Sequence, residues 1–118
     1  MLDNKRAIFL KKQFTKDPKK VLDSFVSQPH KFVNKEIETV VEAFLESDQP
    51  GAYSWINENW EKFNGRERGI LAETSAIEAI KTDNIDIALE WAAHITNIGD
   101  RKKLEDLIEA KNFLQIKK

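Results

Sequence analysis

The residues of this chain that could do chemistry are two histidines, a series of glutamates, a lysine-rich beginning and three tryptophans. His94 stands with Asp86 and Glu90 at i, i+4 and i+8. That spacing puts three possible metal ligands on one helix face. A metal site needs a further ligand from another element, and none is nominated, so no metal or other cofactor is expected. A solvated polar stripe accounts for the three residues. His30 follows Pro29 in a turn and reads as a surface residue.

Carboxylates could do acid–base work if their surroundings tuned them. Glu36, Glu38, Glu42 and Glu46 are expected on the outer face of an amphipathic helix, where nothing perturbs them. The segment Gly65-Arg66-Glu67-Arg68-Gly69 is glycine-flanked but has neither the lysine-serine pair nor the preceding strand of a phosphate loop. Nothing positions a serine–histidine–acid set, and the chain has no cysteine. No catalytic residue is assigned, and an enzyme is not expected.

Two groups are better suited to binding. Lys5, Arg6, Lys11, Lys12, Lys16, Lys19 and Lys20 form a basic patch interleaved with Phe9 and Phe14, a composition that can contact phosphates without reading sequence. The three tryptophans form the second group. Trp60 shares the inward face of its helix with Tyr53, Ile56 and Phe63. Trp55 points about 100° away from that face, and Trp91 lies at the edge of its own apolar arc. Trp55 and Trp91, with Tyr53 and Asn59 beside Trp55, are the candidate partner-binding residues, because aromatic side chains anchor interfaces. The rival reading packs Trp55 against the Val21–Phe25 helix.

Helices must position all of these. Apolar residues recur at helical spacing along the chain, and no segment alternates with period two over strand length. Seven helices are expected. The first spans about Leu2 to Phe14. Asp17-Pro18 opens the second, with Val21, Leu22, Phe25 and Val26 inward. The third ends near Ser47 and carries Val33, Ile37, Val40, Val41, Phe44 and Leu45 inward. The fourth runs from about Ala52 to Phe63 and the fifth from about Glu67 to Lys81. The sixth follows Asp83-Asn84 and is stopped by Gly99. So many of its residues are apolar (Ile85, Ile87, Ala88, Leu89, Trp91, Ala92, Ile95) that it should be walled in on most sides. The seventh is capped by Asp100, with Leu104, Leu107, Ile108 and Leu114 inward.

Composition bounds the class. At 118 residues, 41% hydrophobic and 33% charged, the chain fits one folded domain, residues 1–118, with a core of its own. No apolar run has signal-peptide or membrane-spanning length, so a soluble cytoplasmic protein without membrane partners is expected. The net charge of −1 hides a division. Residues 1–35 hold nine Lys/Arg against three Asp/Glu, and residues 36–83 hold four against eleven. A positive end beside a negative middle suits an acidic partner, or self-association of opposite-charge ends into a homo-oligomer.

The helices also pair off. Asp17-Pro18, Asp48-Gln49-Pro50 and Asp83-Asn84 open units at 17–47, 48–82 and 83–118, after an N-terminal helix at 1–16. Similar strings follow each opener: Val21-Leu22-Asp23-Ser24-Phe25, Ala52-Tyr53-Ser54-Trp55-Ile56 and Ala88-Leu89-Glu90-Trp91-Ala92. Two helices per 31–36 residues is a helical-repeat period. The stretch Asp83 to Leu89 resembles the opening of tetratricopeptide units. Ala88-Leu89-Glu90-Trp91-Ala92 resembles degenerate HEAT-like helix repeats of the Ala-Leu-x-Trp-Ala type. The small residues of tetratricopeptide packing are mostly missing from the first two units. The resemblance implies helical hairpins stacked as a short right-handed superhelix and a protein-binding scaffold: an adaptor, inhibitor or immunity-type protein, partner unnamed. The alternative fold is an irregular helical bundle. The alternative function is a nucleic-acid-associated protein using the basic end, although the acidic middle makes nucleic acid the poorer partner.

Overall fold

Several helices of this protein start where a side chain holds a free N–H group of the first turn. The Asp17 carboxylate accepts from the Lys20 N–H at 3.3 Å, with Pro18 in the first turn. Asp48 accepts from the Gly51 N–H at 3.1 Å, and Asn64 from the Glu67 N–H at 2.9 Å. A Cβ on Gly51 would run into the Asp48 carboxylate, so glycine is what lets that cap close.

The computed structural model describes the backbone of residues 2–116 and the side chains of residues 5–111. It holds seven α-helices: α1 (Leu2–Lys16), α2 (Pro18–Ser27), α3 (Asn34–Ser47), α4 (Gln49–Asn59), α5 (Gly65–Lys81), α6 (Ile85–Ala93) and α7 (Ile98–Ile116). Short 3-10 turns at Pro29–Lys31 and Trp60–Lys62 precede α3 and α5. The protein is all-α, with no strand among the described residues. The inward placement expected for Leu114 lies outside the described side chains.

Four helices form a row and run the same way. Arg6 Nε lies 3.0 Å from Glu36 Oε2, and the Phe14 and Phe44 rings are 5.5 Å apart. Contacts near both ends of α1 and α3 at a constant shift of 30 residues require parallel helices. Arg66 donates to the Asn34 side chain at the start of the α3–α5 pair. At its far end the Glu42, Glu46 and Glu78 carboxylates come within 4.8 Å of one another. Lys111 Nζ, 3.1 Å from Asp83, ties α7 alongside the end of α5. The row is therefore α1, α3, α5, α7. The return helices pack behind it, α2 on α1, α4 on α3, and α6 on α5 and α7.

The core fills the space between the layers. Val40, Val41, Ala52, Ile56, Ala72, Ala76, Ala79 and Ala88 are fully buried. The alanines of α5 and α6 have little side chain to hold the helix axes apart, which permits close packing.

Several expectations need correction. The most enclosed helices are α3 and α5, not α6, whose Leu89 is 47% exposed. α6 ends at Ala93, well before Gly99. Asn97, not Asp100, caps α7, its side chain accepting from the Asp100 N–H at 3.0 Å. Leu107 is exposed rather than inward. Glu36 is not on the outer face of α3, and is only 1% exposed.

Candidate functional site

α1 and α3 share one rotational phase as well as one direction. On α1, Ala7 and Phe14 are buried, and on α3 the residues 30 further on, Ile37 and Phe44, point inward too. The opposite sides therefore form one continuous face. On α1 that face presents Lys5, Ile8, Lys12 and Lys16, with Phe9 at its edge. Level with them on α3 stand Glu38, Glu42 and Glu46, and on α5 follow Ile70, Glu73 and Ile77. Ile8 and Phe9 are 55% and 57% exposed.

Between α3 and α5 the face sinks into a groove of about 360 Å³. Ile70 and Ile77 give it an apolar floor, and Glu38, Glu42, Glu73 and Glu78 give it an acidic lining. Burial, then the charges of Asp100 and Glu38, raise the Glu73 carboxyl above its ordinary value, against the opposing pull of Lys103. Lys81 closes one end, its ammonium 3.2 Å from Glu78 Oε1. That hydrogen bond and charge raise the Lys81 pKa, with Glu42 and Glu46 adding to the effect. A protein cation thus already answers the cluster of Glu42, Glu46 and Glu78. Chemically the groove favours a positively charged group with an apolar body.

The structure separates the tryptophans. Trp55 is half-buried, its ring 6.1 Å from Phe44 and 5.8 Å from Phe63. Trp91 is buried and packs on Tyr53, Trp60 and His94. Trp55 and Trp91 lie in two different ring clusters. Tyr53 joins the Trp91 cluster, and Arg68 covers its outer member, with its guanidinium 5.6 Å from the Trp60 ring. Asn59 donates to the Trp55 carbonyl at 2.8 Å, tying off the end of α4. Burial and then the Glu78 charge push the Tyr53 hydroxyl up to about 12.

The basic patch is likewise divided. Lys5, Lys12 and Lys16 are on the outer face of α1, whereas Lys11 borders the junction with the end of α3. Lys19 and Lys20 belong to the first turn of α2 and are exposed. Arg6 is engaged by Glu36 and by the face of Phe32, 5.5 Å away.

Sequence reasoning missed the groove because its two walls are far apart in the chain. It also missed the device that sets α3 and α5 side by side. Lys31-Phe32-Val33-Asn34-Lys35-Glu36 and Lys62-Phe63-Asn64-Gly65-Arg66-Glu67 have the same local structure. In each, a 3-10 turn delivers a buried Phe, and a buried Glu folds back onto a cap N–H. The recurrent Lys-Phe-x-x-basic-Glu string was the signal.

Comparison with protein-family models, with curated proteins and with solved structures found no match. No helix among the described residues is long and apolar enough to cross a membrane.

Proposed function

We propose that this protein is a non-catalytic interaction domain, a short helical-repeat scaffold of the tetratricopeptide or HEAT-like kind. Its docking surface is the charge-divided face of the row, and the groove between α3 and α5 takes a basic, amphipathic segment of a protein partner. One observation carries the reading: an apolar floor of Ile70 and Ile77 lies beneath Glu38 and Glu73, on a helix face that the described residues leave uncovered. Carboxylates around an apolar floor select lysine-bearing helices over neutral or acidic ones and speed their approach.

The test is titration of the domain with two synthetic helical peptides that share apolar positions, one lysine-rich and one glutamate-rich. The basic peptide should bind and the acidic one should not. Binding should weaken at high salt, and Glu38→Lys with Glu73→Lys should abolish it. Equal binding of both peptides, or no effect of the double reversal, would remove the groove from consideration.

One observation favours a nucleic-acid reading, the alignment of Lys5, Lys12 and Lys16 on the exposed side of α1. It takes second place on distance. Packed helices are spaced by about 8–10 Å, close to the Debye length at physiological salt. Phosphates on α1 would therefore feel the carboxylates of α3. No gel shift with generic DNA or RNA is expected at physiological salt.

A further inference from the structure

We infer that the basic segment received by the α3–α5 groove is α1 of a second copy of this chain, so that the protein forms a two-fold symmetric dimer. The inference rests on the groove being a docking site. It adds the identity of the occupant, and charge complementarity carries it. The exposed side of α1 offers what the groove selects: Lys5, Lys12 and Lys16 around Ile8, with Phe9 at the margin. Two neighbouring apolar residues that are each more than half exposed, on a helix whose other side is already packed, are unusual without a partner.

Length and symmetry fit as well. α1 has 15 residues, α3 has 14 and α5 has 17, so α1 can lie along the whole groove. The basic strip and the acidic groove are side by side on one face. A two-fold axis parallel to the helices, passing between strip and groove, turns one copy onto the other face to face. It lays each strip over the other copy's groove, and both contacts follow from one operation. Such an interface is isologous and closes at two subunits, so it gives no filament. In the dimer, α1 runs parallel to α3 and α5 of the other copy, as it does to α3 in its own chain.

Sedimentation equilibrium tests this directly. The wild-type chain should be a dimer at low ionic strength and should dissociate in about 1 M salt, where charges are screened within about 3 Å. Lys12→Glu with Lys16→Glu makes both strip and groove acidic. Glu38→Lys with Glu73→Lys makes both basic. Each variant alone should be monomeric, with the helical circular dichroism of the wild type. Mixed together they should form a one-to-one dimer, because each strip then meets a groove of opposite charge. Ile8→Ser, which alters no charge, should weaken the wild-type dimer at least about tenfold, as loss of a central apolar contact does.

A monomeric wild type at low salt overturns the inference, as does a mixture of variants that stays monomeric. If the wild type is monomeric while the lysine-rich peptide still binds, self-docking fails and the groove reading stands. If neither the peptide nor a second copy binds, both fail.

Discussion

Glu36 and Glu67 hold the same station in two helices. Each is the third residue of its helix, each is 1% exposed, and each has Oε1 2.9 Å from the backbone N–H of the residue three before it. Each also meets an arginine. Arg6 reaches Glu36 from α1 at 3.0 Å. Arg66 lies 3.4 Å from Glu67 and donates to the Phe32 carbonyl at 3.3 Å, spanning the gap to α3. The two carboxylates therefore cap their own helices and fix each row helix to the one before it.

The first prediction follows from that double duty. Glu36→Ala removes a helix cap, worth about 1 kcal/mol. It also leaves Arg6 and a part-buried N–H without their acceptor, at about 1–2 kcal/mol more, since Arg6 is half in water. A loss of about 2–3 kcal/mol in urea denaturation is expected. Glu36→Gln keeps an oxygen for the cap and should lose about half as much. If alanine and glutamine variants are equally stable to within error, the carboxylate has neither role.

The second prediction concerns the tryptophans. Trp91 is 5% exposed and its ring faces three others, so Trp91→Ala should cost about 3–5 kcal/mol. Trp55 is half-buried between Phe44 and Phe63, and Trp55→Ala should cost about 2 kcal/mol. Thermal melts of both variants decide the matter. If Trp55→Ala melts like the wild type, its contacts with Phe44 and Phe63 are idle and the ring is available to a partner.

The sequence made the helices legible because their signals are local. Asp17-Pro18 and Asp48-Gln49-Pro50 announce two helix starts, and the Ile37, Val40, Val41, Leu45 stripe announces a buried face. What it hid is the partner of each face. Glu36 reads as one more outward glutamate on a wheel, because its burial depends on Arg6, thirty residues earlier. α6 reads as central because it is apolar nearly all round, yet its neighbours α5 and α7 and the Tyr53 and Trp60 rings leave the side carrying Leu89 open. Units counted from Asp17, Asp48 and Asp83 open on the return helices. The buried Phe and Glu that mark the starts of α3 and α5 show themselves only when the two Lys-Phe strings are laid side by side.

A third prediction comes from two hydroxyls. The Tyr53 and Ser75 hydroxyl oxygens are buried with no hydrogen-bond partner among the described residues. An unanswered buried hydroxyl costs about 1–3 kcal/mol, and deleting it can be neutral or favourable. Tyr53→Phe keeps the ring against Trp91 and removes only the hydroxyl. Ser75→Ala suits a helix interior. Each should leave the melting temperature unchanged or raise it, and the pair should raise it by a few degrees if the effects add. A drop for either would mean that its hydroxyl is hydrogen-bonded in solution.

The last prediction sets the groove's stability against its binding. Burial, then the Asp100 and Glu38 charges, raise Glu73 above its ordinary 4.5. A carboxyl with a raised folded pKa binds its proton more tightly in the folded chain than in the unfolded one. Stability is therefore lost as pH rises from about 4.5 through the folded value, and the loss persists at neutral pH. Below about 4.5 the group is protonated in both states and contributes nothing. Glu73 is exposed, so solvent screening keeps the effect small. Glu73→Gln deletes the charge and keeps the shape. It should melt slightly above the wild type at neutral pH, with the difference vanishing at about pH 4 and shrinking in about 1 M salt. The same substitution should weaken binding of a lysine-rich peptide, because the repelled carboxylate is the one a cation relieves. Melting curves at the two pH values and one titration check both halves. A stability difference independent of pH would show that packing, not charge, distinguishes the variant. Unchanged peptide affinity would take Glu73 out of the groove's binding surface.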